Sequence, residues 1–240
     1  MNGSPASAAR RTTYEETFDD GCGGWYAWKP NGSLVPEVRD GVYHERSPWW
    51  VDSNHAPPAG AGYLHLLAIL WTQADQVPEH RWPNRFIEGG YSRDLTDALV
   101  TLRVRGDLRV GDARLSVLVQ ARLPDTTANF VLVGQTFEVT PEWAERQVVL
   151  RSDPSDWLCL GARADLSHLY GCGEIADVLC DVNLDLILVL FPLPVRPVAP
   201  LAEVIHGVRR QSAFDVDWTA LPEGWVEIDT IRVEYPESRA

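Results

Sequence analysis

The most constraining feature of the sequence is a series of short segments in which apolar and polar residues alternate. Asp97–Leu108 shows this alternation, and Ala113–Arg122 repeats it. A period of two residues places one set of side chains on each face of a β-strand. Helical periodicity is weak and is confined to Gly173–Cys180 and Ala199–Val208. The chain is therefore predicted to be all-β, with one or two short helices.

Further strand candidates are bounded by Gly, Pro, Asn or Asp, as is typical of short antiparallel strands. They are Gly62–Thr72, Asn129–Val133, Thr136–Thr140, Arg146–Arg151, Val182–Phe191 and Trp225–Tyr235. Many short strands with few helices predict an antiparallel two-sheet β-sandwich of the jelly-roll type. Because Gly62–Thr72 is apolar at nearly every position, we expect it to be buried on both faces. We expect one sandwich domain over residues 12–236, with a flexible N-terminal tail at 1–11 and a short C-terminal tail at 237–240.

The charge balance limits the partners that this chain can bind. The 240 residues include 21 Lys and Arg against 34 Asp and Glu, which gives a net charge of −13. Nucleic acids and anionic membranes attract cationic protein surfaces, so neither is expected as a partner. We find no apolar run of the roughly 18 residues that a membrane span needs, and no secretory hydrophobic segment. A cytoplasmic location is therefore predicted.

The four cysteines are consistent with that location. Cys22, Cys159, Cys172 and Cys180 are expected to be reduced and mostly buried, because disulfides are rare in the cytoplasm. The alternative is a metal site made by Cys159, His168, Cys172 and Cys180. Their spacing lacks the paired Cys-x-x-Cys arrangement of structural zinc sites.

Four pieces of the sequence, in order, resemble one known architecture. They are Glu16–Gly21 with Gly24-Trp25, Asp40–Tyr43, Thr140–Trp143 with Arg146–Leu150, and Trp225–Val233. They resemble the opening strand, a tight turn, a turn before a long strand and the closing strand of galactose-binding-like β-sandwiches. That superfamily includes many carbohydrate-binding modules, and folds of this kind support unrelated activities.

The resemblance also implies roles for particular residues. Trp25, Trp143 and Trp225 match structural positions of the fold, so they are expected in the core. Related modules often bind a structural calcium between the first and last strands, and the matching oxygen donors are Glu16, Asp19 and Asp229. The alternative is that these carboxylates face water. No essential cofactor is expected.

The segment Ser47–Gly62 combines aromatic, polar and proline residues in a way that predicts a stiff loop. Long ordered loops inside compact domains are usually functional, and two consecutive prolines reduce the entropy that ordering costs. His55 can titrate near neutral pH, Asp52 could orient its ring, and Asn54 could hold a substrate hydroxyl or an oxyanion. The alternative is a capped turn with a structural role.

A second cluster of candidates consists of polar residues on apolar strands. The alternation places Asn183 and Asp185 opposite the leucines of their strand, and an ionised carboxylate there needs a partner. If these residues share one face of the sandwich with other polar side chains, they line a polar cleft. The other members are Arg103, Arg105, Gln120, Arg122 and His65. Arginine forks bind carboxylates at two points, although surface ion pairs are the alternative for the arginines.

Aromatic residues near these segments could form a platform for a sugar ring. The candidates that flank the polar loops are Trp49, Trp50, Trp71 and Trp82.

Together these features predict a stand-alone protein that binds a carbohydrate-like or carboxylated small molecule in an aromatic-lined cleft. The first alternative is a lyase, isomerase or hydrolase acting on such a ligand. Its catalytic residues would be His55 as general acid or base, Asp52, Arg103 and Asp185. The second alternative is an accessory or assembly scaffold, which predicts a broad apolar patch and no polar cleft. The sequence leaves the oligomeric state open.

Overall fold

The alternating segments pair into two β-sheets that pack face to face. The computed structural model describes residues 12–27, 36–52, 63–74, 83–161, 169–194 and 223–237. The strands are β1 (Thr13–Glu16), β2 (Trp25–Tyr26), β3 (Glu37–Arg39), β4 (Val42–Arg46), β5 (Tyr63–Trp71), β6 (Leu99–Arg109), β7 (Arg114–Arg122), β8 (Thr127–Leu132), β9 (Ala144–Val149), β10 (Trp157–Cys159), β11 (Tyr170–Gly171), β12 (Asp185–Leu193) and β13 (Glu223–Glu234). The helices are α1 (Arg85–Glu88) and α2 (Ile175–Leu179), with a 3-10 turn at Pro154–Asp156. An all-β two-sheet sandwich with two short helices is confirmed within these ranges.

The two sheets differ in strand order and share the sandwich core between them. Sheet I has six strands in the order β3-β4-β13-β6-β9, with β1 beside the second half of β13. Sheet II has seven strands in the order β10-β8-β7-β12-β5-β2, with β11 beside the first half of β8. All pairs are antiparallel except β11 with β8. The chain therefore crosses repeatedly between the two layers.

The inward faces of both sheets form the main core. Leu102 and Val104 of β6 and Val117 and Val119 of β7 belong to this one apolar cluster and are at most 1% exposed. The alternation read from the sequence is therefore confirmed for both strands.

A second apolar cluster covers the outer face of sheet II. It contains Tyr26, Trp50, Leu64, Leu66, Ile69, Leu118, Val131, Leu160, Ile187, Val189 and Phe191. Strands β5 and β12 contribute to this cluster and to the main core, so they are buried on both sides. This confirms the expectation for the apolar segment Gly62–Thr72.

A bulge in β5 is fixed by a side chain from the opposite sheet. The pairing of β12 with β5 moves from Ala68 to Leu66 between consecutive residues of β12, so the ladder passes over Leu67. The hydroxyl of Tyr43, which is fully buried in β4, donates a hydrogen bond to the Leu67 carbonyl at 2.8 Å. Burial raises the pKa of Tyr43 well above its usual value, so its hydroxyl stays protonated and donates. This bond ties the two sheets together.

The turn between β3 and β4 follows directly from its two residues. Asp40 and Gly41 have φ angles of 51° and 72°. Two positive φ angles define the two-residue hairpin turn that favours Asp-Gly. The tight turn expected at Asp40–Tyr43 is therefore present.

One predicted strand is wrong, and another predicted element lies outside the described residues. In Thr136–Thr140 only Phe137 forms an isolated bridge, with Leu115. Beside β9, the side chain of the preceding Gln135 makes the hydrogen bonds that a neighbouring strand would make. Its amide donates to the Val149 carbonyl and accepts from the Val149 N–H, both at 3.0 Å. The helix predicted at Ala199–Val208 lies outside the described ranges.

Candidate functional site

A row of polar side chains crosses four neighbouring strands on the outer face of sheet II. Asp185 of β12 lies opposite Trp71 of β5 on one side and Gln120 of β7 on the other, and Gln120 lies opposite Asn129 of β8. Side chains directly opposite each other on one face are about 4.5–5.5 Å apart at Cβ. We call Trp71, Asp185, Gln120 and Asn129 the polar row.

The polar row borders the apolar cluster on the same face. Two residues along each strand, apolar side chains form the adjacent row on the same face and in the same register. They are Ile69, Ile187, Leu118 and Val131. Gln120 and Asn129 are 7% and 1% exposed, whereas Trp71 and Asp185 are half-buried. The row therefore has a buried end and an end that reaches the surface.

The Trp71 end of the row is held by aromatic and polar contacts. The Tyr26 ring stacks on the Trp71 indole, with the ring centroids 4.0 Å apart. Asn84, the N-cap of α1, accepts from the Ile87 N–H and donates to the Trp71 carbonyl at 2.8 Å. Ring plane and backbone of Trp71 are thus both fixed.

The other end of the row meets Tyr170 of the short strand β11. The Gln120 side-chain amide donates to the Tyr170 hydroxyl at 3.2 Å. Tyr170 pairs with Thr127 of β8, two residues before Asn129, and is half-buried. Tyr170 therefore extends the polar row at the edge of the sheet.

Two of the four cysteines form a disulfide beside this edge. Cys159 at the end of β10 is bonded to Cys172, which directly follows β11. The prediction of reduced thiols is therefore wrong for this pair, and the disulfide also removes the predicted metal site, which needed both sulfurs. Spacing along the chain does not show that β10 and β11 both lie against β8. Cys22 is free and buried as predicted, whereas Cys180 is free and exposed.

The tryptophans before β5 are buried. Trp49 lies between the sheets at 0% exposure, and Trp50 lies in the outer apolar cluster at 3%. Stacking on a ligand would need both indoles to leave packed positions. Asp52, also buried, continues the ladder because its N–H donates to the Leu64 carbonyl at 2.7 Å. The candidates Asn54, His55 and Trp82 lie outside the described residues.

His65 lies inside the sandwich and apart from the polar row. It is fully buried, its Nδ1 is 2.6 Å from the Trp50 carbonyl, and its Nε2 is 4.0 Å from Glu45 Oε1. These contacts join the segment before β5 to sheet I. His65 therefore faces the core and not the predicted cleft.

Arg103 and Arg105 lie on the outer face of sheet I, on the far side of the sandwich from Asp185. Arg103 donates to Asp229 at 3.2 Å, and Arg105 donates to Glu227 at 2.6 Å. Both guanidinium groups are already engaged by carboxylates, which is the surface ion-pair alternative. These arginines and Asp185 cannot line one cleft.

Trp143 and Trp225 accompany these arginines and are half-buried outside the core. The Arg105 guanidinium carbon is 4.6 Å from the Trp143 ring centroid and 5.9 Å from that of Trp225. The expectation of core positions is wrong for these two, because a cation–π contact shields their rings from water. Trp25 is fully buried, as expected.

Asn183 and Arg122 have a structural arrangement at the end of the β7–β12 pair. The Asn183 side chain accepts from the Arg122 N–H at 2.7 Å and donates to the Arg122 carbonyl at 3.1 Å. This pattern extends the ladder beyond Asp185, where β12 begins. Asn183 thus helps to set the register that aligns the polar row.

The three predicted calcium ligands do not come together. Glu16 accepts from Arg85 at 2.7 Å, whereas Asp229 lies on the outer face with Arg103 and Asp19 accepts from Thr17 at 2.8 Å. Burial raises the pKa of the Glu16 carboxyl, and Arg85 opposes that rise. Within the described residues, no group of three or more His, Cys, Asp or Glu could hold a metal ion. The set does not fit calcium, because Asp229 lies on the outer face with Arg103 and Glu16 is paired with Arg85.

No protein-family model matches the chain, and no curated protein matches it. Of the helices in the described ranges, none has the length and apolar character to cross a membrane.

Three residues at the site were not predicted from the sequence. Asn129 begins a predicted strand, and its alternation with Val131 could have placed it beside Gln120. Tyr26 directly follows Trp25 in the opening motif, but its stacking on Trp71 depends on the pairing of β2 with β5. No local signal marks Tyr170.

Proposed function

We propose that the chain is a binding protein for a neutral, carbohydrate-like ligand, held on the outer face of sheet II. The observation that carries the proposal is the polar row, with a stacked aromatic pair at one end and Tyr170 at the other. Asp185 and Tyr170 are half-buried, so a carboxylate that accepts and a phenol that donates and accepts can meet a ligand with several hydroxyls, while the buried amides of Gln120 and Asn129 hold the row in place. Ligand sites are typically apolar surfaces with a few convergent polar groups.

Charge favours a neutral ligand over a carboxylated one. The row carries the carboxylate of Asp185, and a negative charge on a ligand bound beside it would be repelled. The arginines that could have received a carboxylate bind Asp229 and Glu227 on the opposite sheet. The net charge of −13 gives the same preference over the whole surface.

Trp71 is the proposed stacking residue. Its indole is half-buried, so part of it reaches the surface, and Tyr26 fixes its orientation. A ring whose position is set before binding loses little entropy when a ligand arrives. This preorganisation supports Trp71 over Trp49 and Trp50.

Two further expectations stay with this proposal. A galactose-binding-like ancestry is supported by the order of the motifs and by the sandwich architecture. The cytoplasmic location also remains a proposal, and cytoplasmic disulfides are usually transient and redox-active. The enzyme alternative stays a prediction, because His55 lies outside the described residues.

The test is titration calorimetry with the methyl glycosides of D-galactose, D-glucose, D-mannose and D-xylose and with their β-1,4-linked disaccharides. We expect at least one to bind, and Asp185→Asn and Trp71→Phe each to raise Kd about tenfold, the equivalent of one buried hydrogen bond or ring contact. Arg103→Ala on the opposite sheet is the matched control and should leave Kd unchanged. Binding that Arg103→Ala abolishes and Asp185→Asn tolerates would overturn the proposal.

A further inference from the structure

Tyr170 lies in one of the two shortest strands of the sandwich. Strand β11 has two residues, and its pairing with β8 is the one parallel pair among the described strands. Beside it, the Thr127 N–H donates to the Leu169 carbonyl at 2.7 Å. Leu169 is 49% exposed, so it adds little apolar burial. A pairing of two residues contributes little stability by itself.

The disulfide supplies a covalent attachment at this point. Cys159 pairs with Phe130 in the second half of β8, and Cys172 lies one residue beyond the pairing of Gly171 with Ala128 in the first half. The bond therefore joins the two strands that share one edge of β8. Cys159 and Cys172 are 13 residues apart in sequence, so closing this loop restricts the freedom of β11.

We infer that the Cys159–Cys172 disulfide is a redox control on the ligand site: it holds Tyr170 against Gln120, and its reduction releases Tyr170 from the polar row and weakens binding. The effect on ligand binding rests on the proposed function, whereas the attachment of Tyr170 by the disulfide rests on the described contacts. It gives the only disulfide of the described residues a place beside the site.

The chemistry is a thiol–disulfide exchange with a dithiol reductant. Cys172 is exposed, so a thiolate of the reductant attacks its Sγ, and Cys159 leaves as a thiolate. The second reductant thiolate then attacks the mixed disulfide and releases Cys172. Two electrons pass to the protein, the two thiol protons of the reductant end on the two cysteines, and the reductant becomes a disulfide.

The first readout needs no ligand. Hydrogen exchange is followed at the Thr127 amide in the folded chain, with and without dithiothreitol. We expect reduction to speed exchange at Thr127 at least tenfold, while the amide of Val119 in the centre of sheet II stays protected. Cys180→Ser is used throughout, so that the exposed free thiol does not take part. Unchanged exchange at Thr127 after complete reduction would overturn the inference.

The second readout is affinity for the same glycosides and disaccharides. We expect reduction to raise Kd at least fivefold, and Tyr170→Phe to raise Kd in the oxidised protein and to remove most of the effect of reduction. An affinity that is the same in both redox states overturns the inference. If no saccharide binds either form, the proposed function fails, and the exchange at Thr127 alone decides whether the disulfide controls β11. The Cys159→Ser, Cys172→Ser double variant should match the reduced protein, and reduction of the folded wild type gives the result if this variant does not fold.

Discussion

The outer faces of the two sheets are built from similar alternating strands and yet have opposite character. On sheet I, Arg105 and His44 both contact Glu227, at 2.6 and 3.0 Å, and the neighbouring side chains are exposed or half-buried. On sheet II, an apolar cluster is interrupted by the polar row. Polar groups on a solvated face need no special explanation, whereas polar groups within an apolar face do. The comparison thus locates the candidate site.

The largest expected effect is a charge placed in the apolar face of sheet II. Leu118 is 2% exposed, next to Ile187 and Val131. Leu118→Asp should lower the free energy of unfolding by about 4 kcal/mol or more, because a buried charge loses its hydration. Urea denaturation measures this, with Leu118→Met as a control that should cost less than about 1.5 kcal/mol. Equal losses would show that the face is solvated.

The next effect concerns the bond between the two sheets. Tyr43→Phe should lower the free energy of unfolding by about 1–3 kcal/mol, because it leaves the buried Leu67 carbonyl without its donor. Tyr235→Phe is the control, since its hydroxyl donates to the Ser92 carbonyl at 2.9 Å in a partly exposed position. The control should cost less in the same denaturation assay. A larger loss of unfolding free energy in Tyr235→Phe would contradict the stabilising role of the Tyr43–Leu67 hydrogen bond.

A smaller effect is expected on the outer face of sheet I. Arg105→Ala removes the ion pair with Glu227 and the contact with Trp143, but the guanidinium is 38% exposed. Exposed ion pairs contribute about 0–1 kcal/mol, and salt weakens them. We expect a loss in this range that shrinks in 1 M salt, as measured by urea denaturation. A loss of several kcal/mol that salt does not change would mean that this face is packed.

The smallest effect is a change in how stability depends on pH. Burial raises the pKa of Glu16, so its favourable contribution is complete below its ordinary pKa of 4.5 and is lost as the pH rises. Hydrogen bonds from Ser155 lower the pKa of Asp153, so its contribution is present above its ordinary pKa of 3.8 and is lost as the pH falls.

Denaturation from pH 3 to 7 should therefore give opposite trends for the two variants. As the pH rises, the free energy of unfolding of Glu16→Gln should increase relative to wild type, and that of Asp153→Asn should decrease relative to wild type. Parallel trends for the two variants would show that the ion pair with Arg85, and not burial, dominates at Glu16.

The sequence predicts the strands and the faces of their side chains well, because alternation is a local property. It predicts Asp185 and Gln120 as members of one polar surface, and the register places them opposite each other. It does not predict which sheet a strand joins. Alternation alone allows Arg103 and Arg105 to lie beside Asp185, but β6 and β12 belong to different sheets, so the arginines lie on the opposite side of the sandwich.

The remaining errors have a similar origin. The resemblance to galactose-binding-like sandwiches predicts Trp143 and Trp225 in the core, but in this chain a guanidinium covers part of each indole ring on an outer face. The disulfide and the position of Tyr170 depend on two very short strands, β10 and β11, that both pair with β8. Strands of two or three residues leave too short a pattern to be recognised in a sequence.

The amide of Gln135 has a consequence for how this protein meets other molecules of its own kind. Strand β9 forms an edge of sheet I, and an open edge invites a strand from another molecule to add to it. Because Gln135 occupies both backbone groups of Val149, an incoming strand finds this end of the edge already hydrogen-bonded. One side chain thus blocks strand addition at this end of β9.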